Sequence, residues 1–208
     1  MDLTHRVSGS TTTRSLGGAT RVVVWTTAIW LLTALAVGAS GCLESVRPPF
    51  PQMLIAGLTA LLLVLCWTPT PVRRFADAVD LRALVLIHAT RVIAGAYFLV
   101  LYGRGELPWA FAVPGGWGDI VVGIAAVLVC LVARPESGAG RRLMLAWNLI
   151  GFLDILMVVS TATRLGLTDP GQMRALLQLP LSVLPTFLVP IIVATHVIIF
   201  VRLGRAAR

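Results

Sequence analysis

Long apolar runs separated by short polar stretches dominate the chain. A membrane-spanning helix requires about 20 mostly apolar residues, and six segments reach or approach this length. These segments comprise residues 21–40, 53–67, 83–102, 118–133, 143–163 and 181–201. Their apolar residues do not alternate with polar ones at every second position, as they would in a half-buried strand. The pattern therefore predicts an all-α protein, an integral membrane bundle of six transmembrane helices.

The two ends of the chain differ from this pattern. Residues 1–20 are polar and small and lack a helical apolar period, so they are predicted to form a disordered cytoplasmic tail. Residues 21–203 then form the transmembrane domain, and residues 204–208 form a short basic tail.

The composition agrees with a membrane location. Of the 208 residues, 57% are hydrophobic and 12% are charged, whereas a soluble domain is about one quarter charged. The net charge of +8 comes from 17 arginines in a chain without lysine. A basic chain can bind nucleic acid, but these arginines lie in short groups between apolar runs. We therefore expect the lipid bilayer, and no nucleic acid, as the surroundings of this chain.

The arginines also predict how the bundle is oriented. One side of the predicted bundle holds Arg6, Arg14, Arg21, Arg73, Arg74, Arg82, Arg134, Arg141, Arg142, Arg202, Arg205 and Arg208. The other side holds only Arg47, Arg104, Arg164 and Arg174. Because loops rich in arginine stay in the cytoplasm, both termini are predicted to lie on the cytoplasmic side of a cytoplasmic (inner) membrane.

The first helix has an alternative interpretation. Arginines, an apolar run and the sequence ASGC at residues 39–42 resemble a secretory signal with a lipoprotein cleavage site at Cys42. Cleavage there would leave five spans. The other cysteines, Cys66 and Cys130, lack the spacing of a metal site.

A few ionisable or polar residues lie inside the apolar segments. Such a group costs about 2.5 to 3.5 kcal/mol on insertion scales, so it usually faces the bundle interior and has a partner. The candidate binding residues are Arg91, Asp119, Asn148, Asp154 and His196.

Arg91 has three interpretations that the sequence leaves open. Its side chain could extend to the headgroups, form an ion pair with Asp154, or bind an anionic ligand through its guanidinium group. The side chain of Asp154 is too short to extend far toward the headgroups, so it must be paired, hydrogen-bonded, hydrated or protonated. Structural pairing and the handling of a proton or cation are both compatible with this position.

The stretch GELPWAFAVPGGWGD, which precedes the fourth apolar run, is predicted to be an outer loop. Pro108 could start a short interfacial helical turn that Pro114 ends, and Asp119 would then cap the next helix. Alternatively, the glycine backbone could fold inward over a cavity whose floor holds Arg91 and Asp154.

The two histidines inside apolar segments lie at similar predicted depths. His88 and His196 could hold a haem b as axial ligands, although lone histidines on apolar helices are more often packing residues with a hydrogen bond. No cofactor is therefore expected, with haem as the alternative. No metal motif, phosphate loop or nucleophile–base spacing is present in the sequence.

The last segment contains prolines at five-residue intervals. Pro185 and Pro190 lack a backbone N–H and so free the carbonyl groups of Leu181 and Thr186, while Pro180 could start the helix. Inside a membrane those carbonyl groups need other partners. The segment is predicted to be kinked or, alternatively, broken beside a cavity.

Several of these stretches are similar to a known family. RVIAGAYF, GELPWAFAVPGGWGDIVVG, WNLIGFLDI and LPTFLVPIIVATH resemble an uncharacterised family of small bacterial multi-pass membrane proteins, over residues 83–202. The family pattern coincides with Arg91, Gly95, Trp117, Gly118, Asp119, Trp147, Asn148, Pro185, Pro190 and His196. His88 departs from that pattern, which weakens the haem hypothesis. The resemblance implies a shared six-helix architecture and no activity.

Three functional hypotheses follow from the sequence. The leading one is a small carrier, or an accessory protein, that binds a lipid or a small anion and is not an enzyme. The second is a membrane redox protein with a haem or a quinone, and the third is a purely structural membrane subunit. Association with a second copy, or with another membrane protein, stays open.

Overall fold

The computed structural model describes the backbone of residues 4–205 and the side chains of residues 17–205. Within these residues all regular structure is helical, and it includes eight α-helices. They are α1 (Thr4–Ala39), α2 (Phe50–Trp67), α3 (Pro71–Ala78), α4 (Leu81–Leu86), α5 (Arg91–Gly103), α6 (Trp109–Val132), α7 (Gly138–Thr168) and α8 (Val189–Arg205). The 3-10 segments are Cys42–Ser45, Ile87–Thr90 and Pro170–Leu177, and Leu184–Leu188 is a π-helix.

Six helical stretches are long and apolar enough to cross a membrane. They are Gly17–Ala39, Phe50–Trp67, Leu81–Gly103, Trp109–Val132, Gly138–Thr168 and Leu184–Arg205. The third combines α4, the 3-10 turn and α5, and the sixth combines the π-helix with α8. The predicted all-α bundle of six transmembrane helices is confirmed for the described residues.

The fourth span differs from its prediction. α6 begins at Trp109 after Pro108, so the stretch PGGWGD is helical and Pro114 lies inside the helix. Pro114 removes one backbone donor, the N–H that would reach the carbonyl group of Ala110, and α6 continues through this position. The prediction that this stretch is an outer loop is therefore wrong.

The first helix also begins earlier than predicted. α1 is helical from Thr4, whereas residues 1–20 are predicted to be disordered. Extending a helix that already exists costs less than starting one, and residues 4–20 contain no proline that would end it. Residues 1–3 and 206–208, which belong to the two predicted tails, lie outside the described residues.

The buried core consists of two apolar clusters, one on each side of the bundle. The α3-side cluster lies near α3 and the end of α8, where Arg202 donates to the carbonyl groups of Ala76 (3.3 Å) and Val79 (2.5 Å). It comprises Leu81, Leu84, Val85, Val122, Ala126, Val129, Ala133, Met144, Trp147, Ile199 and Leu203.

The Glu44-side cluster occupies the opposite half of the bundle, where Arg174 and Glu44 form an ion pair at 2.8 Å. It comprises Phe98, Leu101, Leu107, Phe111, Ala112, Ile155, Val158, Met173, Leu181 and Ile192.

Helices α1 and α2 lie at the edge of the bundle. Only 11% of the spanning window of α1 and 0% of that of α2 are buried, against 33–50% in the other four spans. A groove of about 880 Å³ lies between α1, α2 and α8 and is lined almost entirely by apolar side chains. The four remaining spans therefore form the packed core, and α1 and α2 leave a wide apolar gap beside it.

The carbonyl groups that the prolines of the last span leave without a helical donor accept hydrogen bonds from other groups. The carbonyl group of Leu181 accepts a hydrogen bond from the backbone N–H of Leu184 at 2.9 Å. The carbonyl group of Thr186 accepts from Nε1 of Trp30 on α1, also at 2.9 Å. The expectation that neighbouring groups satisfy these carbonyls is confirmed, and the interruption takes the form of the π-helix that contains Pro185.

Candidate functional site

A layer of polar side chains separates the two apolar clusters. This polar layer consists of His88, Arg91, Asp119, Asn148, Asp154, Thr195 and His196. All but Asp154 are buried, and the side chain of Asp154 is 13% exposed. Because five helical elements contribute to it, the layer lies inside the bundle rather than on a surface.

Arg91 is the centre of one half of this layer. Its Nε donates to Oδ1 of Asp119 at 2.6 Å, and its Nη2 lies 2.5 Å from the same oxygen. Nη2 also donates to Oδ2 of Asp154, and Nη1 donates to the carbonyl oxygen of Gly151 at 3.0 Å. Arg91 is only 2% exposed, so it does not extend to the headgroups; of the three interpretations, its geometry favours the ion pair with Asp154.

Asp119 does not cap a helix. It lies well inside α6, is 4% exposed, and directs its carboxylate at Arg91 on α5. The predicted capping role is wrong because α6 begins at Trp109, which leaves Asp119 in the third turn rather than at the end. The carboxylate therefore needs the buried guanidinium group as its partner.

Glycines let the three helices around Arg91 approach closely. A Cβ atom at Gly118 would collide with the carboxylate of Asp154, and one at Gly95 would collide with the carbonyl oxygen of Gly116. The glycines of PGGWGD are thus required by contact between α5, α6 and α7 rather than by a loop.

The other half of the layer contains His196 and Asn148. The amide nitrogen of Asn148 donates to the carbonyl oxygen of His196 at 3.0 Å, which directs the amide oxygen at Nδ1 of the imidazole, 2.8 Å away. An amide oxygen only accepts, so Nδ1 of His196 carries the proton. Nε2 is then an acceptor, and it has no hydrogen-bond partner among the described residues.

The same argument fixes the tautomer of His88. The hydroxyl group of Thr195 lies 2.9 Å from the carbonyl oxygens of both Ile191 and Ile192 and donates its single proton there. It therefore accepts from Nε2 of His88 at 3.2 Å, and Nδ1 of His88 is left as an acceptor. That nitrogen also lacks a partner within the described part of the chain.

The arrangement of the histidines does not fit a haem. A bis-histidine haem places an iron and a porphyrin between two imidazole rings. The rings of His88 and His196 lie in direct contact, with centroids 4.1 Å apart, and Trp147 packs on His88 at 5.1 Å. No porphyrin can lie between the rings in this arrangement, which agrees with their interpretation as packed, hydrogen-bonded side chains.

A cavity of about 120 Å³ reaches the polar layer from the Glu44 side. Its far end is formed by Val46 and Pro48 of the α1–α2 connection, and Arg91 and Asp119 form its polar floor. The remaining lining is mostly apolar and includes Pro185 of the interrupted last span, as the broken-helix alternative expects.

A cavity therefore lies above Arg91, but neither Asp154 nor the glycines at residues 115, 116 and 118 line it, so the alternative of a glycine backbone folded over the cavity is wrong. The six spans and the buried charged layer define a multi-pass membrane protein with a polar cluster inside its core. Residues 48–204 match the family model described as Domain of unknown function (DUF8737), and the chain belongs to that family. No curated protein and no solved structure matches the chain.

The extent of the family match is informative. It includes α2 to α8 and thus every residue of the polar layer, while α1 lies outside it. It agrees with the resemblance to an uncharacterised family and extends further toward the N-terminus than residue 83.

The sequence predicts most of this layer, but it does not predict Thr195 or the backbone carbonyl group of Gly151 that contacts the layer. The carbonyl group of Gly151 accepts from Arg91, and the hydroxyl group of Thr195 holds His88. Gly151 lies three residues from both Asn148 and Asp154, a spacing that brings side chains to neighbouring faces of a helix. Thr195 carries no comparable signal, because a threonine in an apolar helix usually bonds its own backbone.

Proposed function

We propose that this protein is a small membrane carrier or accessory protein that binds an amphipathic, lipid-like molecule in the cavity above Asp119. The observation that carries the proposal is an apolar cavity whose floor is a buried ion cluster, Arg91 with Asp119. Ligand sites in proteins are mostly apolar and contain a few placed polar groups. The apolar part of the ligand would lie among the cavity walls and its polar end at Asp119.

The charge balance favours a cationic or hydrogen-bond-donating polar end over an anionic one. Arg91 directs its donors at two carboxylates and a backbone carbonyl, so little of its guanidinium group is free for an anion. One guanidinium group faces two carboxylates, which gives the ionised cluster a formal charge of −1. A small anion gains no attraction from this cluster, which has no excess positive charge whether or not one carboxylate holds a proton.

The volume limits how much of a ligand is enclosed. An apolar cavity of roughly 150 Å³ holds one benzene molecule, and this cavity measures about 120 Å³. A short alkyl chain or the head of a longer amphiphile is therefore the appropriate size, with the rest of a long chain reaching the bilayer.

We further propose that the Glu44 side faces away from the cytoplasm, in a cytoplasmic membrane. The support is the predicted distribution of arginines, with the arginine-rich loops and both termini on the α3 side. In this orientation the cavity is reached from the outer half of the membrane.

Thermal unfolding in lipid nanodiscs, with three probes of equal chain length, tests the binding proposal. Octylamine and octanol should raise the melting temperature, and octanoate should not. Val159 lines the cavity, so Val159→Trp should abolish both shifts. Leu128→Trp, on a surface-exposed position of α6, is the matched control and should retain them. Equal shifts in the parent protein and Val159→Trp would contradict binding in this cavity.

A further inference from the structure

We infer that the Arg91–Asp119–Asp154 cluster binds one exchangeable proton, held on Oδ2 of Asp119, and that a cationic ligand in the cavity displaces it. The proton site depends only on the cluster itself. The displacement step rests on the proposed function, because it requires an ammonium group to occupy the cavity.

The first step in this inference is the charge balance. Asp119 and Arg91 are 4% and 2% exposed, and the side chain of Asp154 is 13% exposed. One guanidinium group can neutralise one carboxylate, and a second unneutralised carboxylate in such a place is strongly disfavoured by burial. When two carboxylates share one site, one of them retains its proton more strongly than an isolated acid.

The other titratable groups that face the cluster do not supply the missing charge. They are His196 on α8 and His88 on the 3-10 turn before α5, and both have hydrogen bonds that define a neutral tautomer. Within the described polar layer, α6 and α7 contribute no further acid or base beyond Asp119 and Asp154.

A second observation places a proton acceptor next to the cluster. Gly151 has no side chain, but its backbone carbonyl oxygen accepts a hydrogen bond from Arg91. A Cβ atom at Gly151 would lie 2.9 Å from Cε1 and 3.3 Å from Nε2 of His196. The unpartnered, fully buried Nε2 of His196 thus faces the residue that joins the two halves of the layer. A nitrogen of this kind is able to accept a hydrogen bond from a water molecule, or to accept a proton.

Each aspartate has one oxygen without a hydrogen bond to a described residue, Oδ2 of Asp119 and Oδ1 of Asp154, so access to the cavity assigns the proton to Asp119. Both contacts from Arg91 reach Oδ1 of Asp119, and Oδ2 makes no hydrogen bond to any described residue. Asp119 lines the cavity and Asp154 does not. Oδ2 of Asp119 is therefore the carboxylate oxygen that can hold a proton and exchange it through the cavity.

The geometry also determines the side from which the proton exchanges. The cavity connects Asp119 to the Glu44 side, and the α3-side cluster of apolar residues closes the other half of the bundle. In this conformation the proton is exchanged with the Glu44 side only.

The displacement reaction balances in charge and atoms. An ammonium group that enters the cavity brings one positive charge to a neutral cluster. The O–H bond of Asp119 then breaks, its proton leaves to water through the cavity, and the carboxylate pairs with the ammonium group. Octanol brings no charge, so it should bind without releasing a proton.

Infrared difference spectra of the full chain in nanodiscs, recorded between high and low pH, test the proton site. The carbonyl-stretch band of a protonated carboxylic acid should appear in the parent protein and vanish in Asp119→Asn. Asp119→Glu, which keeps a carboxylic acid at this position, should retain the band at a shifted frequency. This variant is therefore the control for folding of the site. Asp77→Asn is the control, because Asp77 on α3 is half exposed and should leave the band unchanged.

Proton release tests the displacement. Octylamine added to the parent protein in weakly buffered solution should release about one proton per bound amine, and octanol should release none. A missing carboxylic-acid band overturns the proton site, whereas a band that persists in Asp119→Asn and vanishes in Asp154→Asn overturns its assignment. Octylamine binding is measured separately by thermal unfolding. Binding without proton release therefore overturns the displacement while leaving the proposed function intact.

Discussion

Arg91 directs two of its nitrogens at a single oxygen of Asp119, Nε at 2.6 Å and Nη2 at 2.5 Å. The same Nη2 bonds Asp154, so one guanidinium group holds carboxylates from two different helices. The three residues therefore tie α5, α6 and α7 together at the level where the two apolar clusters meet. The contributions of these contacts to the free energy of unfolding should therefore be coupled, rather than the sum of two independent ion pairs.

The two aspartates should compensate for each other. Asp119→Asn and Asp154→Asn each leave one carboxylate for Arg91, so each should cost only about 1 to 3 kcal/mol. The double variant leaves a buried, unpaired guanidinium group and should cost more than the two single changes together, because only the double variant removes the last negative partner of Arg91. Equilibrium unfolding in mixed micelles measures all three. Additive costs would contradict the idea of a single unit.

Arg91→Met should be more harmful than either single aspartate change. It leaves two buried carboxylates without a positive charge, and its cost should lie near 3 to 5 kcal/mol. Arg174→Met is the matched control, since Arg174 forms an exposed ion pair with Glu44 and its loss should change stability little. The same unfolding experiment gives both values, and equal costs would contradict the importance of burial.

Gly118→Ala tests the close approach of α6 and α7. The added methyl group would collide with the carboxylate of Asp154, and forced overpacking typically costs about 1 to 3 kcal/mol. Gly57→Ala on α2 adds the same methyl group where no atom lies within 4 Å. Unfolding free energies should fall for Gly118→Ala and stay constant or rise for Gly57→Ala. A similar loss in both would indicate a general effect of the extra methyl group.

Trp30 should stabilise the fold through its indole N–H group. Trp30→Phe removes the donor to the carbonyl group of Thr186, which Pro190 leaves without a helical partner, and an unsatisfied buried acceptor costs about 1 to 3 kcal/mol. Trp25→Phe is the control, because Trp25 is 68% exposed on the same helix. Thermal unfolding of both variants should show a loss only for Trp30→Phe.

The ion pair on the Glu44 side should make that region sensitive to acid. Hydrogen bonds from Gln178 and Arg174 lower the pKa of Glu44 below 4.5. A lowered pKa in the folded state stabilises the fold above the unfolded value, and this stabilisation disappears as the pH falls through the folded value. Melting temperatures between neutral and acidic pH should therefore drop more in the parent than in Glu44→Gln. Parallel curves would contradict this contribution.

The six spans could be predicted from the sequence because a membrane helix requires a long apolar run wherever it occurs. The start of α6 could not be predicted, because PGGWGD contains the residues that end helices in water. In this bundle the same glycines allow contact with α5 and α7, a requirement that depends on the neighbouring helices. Local composition could not distinguish the two situations.

The polar layer was only partly predictable for a related reason. Burial of Arg91 and Asp154 follows from the lengths of their segments, and their pairing was one of the expected alternatives. The role of Asp119 is predicted wrongly, because the local sequence places the start of its helix next to it. The role of the Gly151 carbonyl and the tautomers of the histidines depend on distances between helices, which one sequence does not contain.

Helix α2 forms one wall of the cavity through Pro51, Gln52 and Ile55, yet none of its residues is buried. The cavity-lining residues of this helix are half-buried, and its outer face meets the hydrocarbon phase. The proposed ligand would then arrive sideways from the bilayer rather than through water. Occupancy would follow the amount of the compound dissolved in the membrane, so a sparingly soluble amphiphile could saturate the site at a very low aqueous concentration.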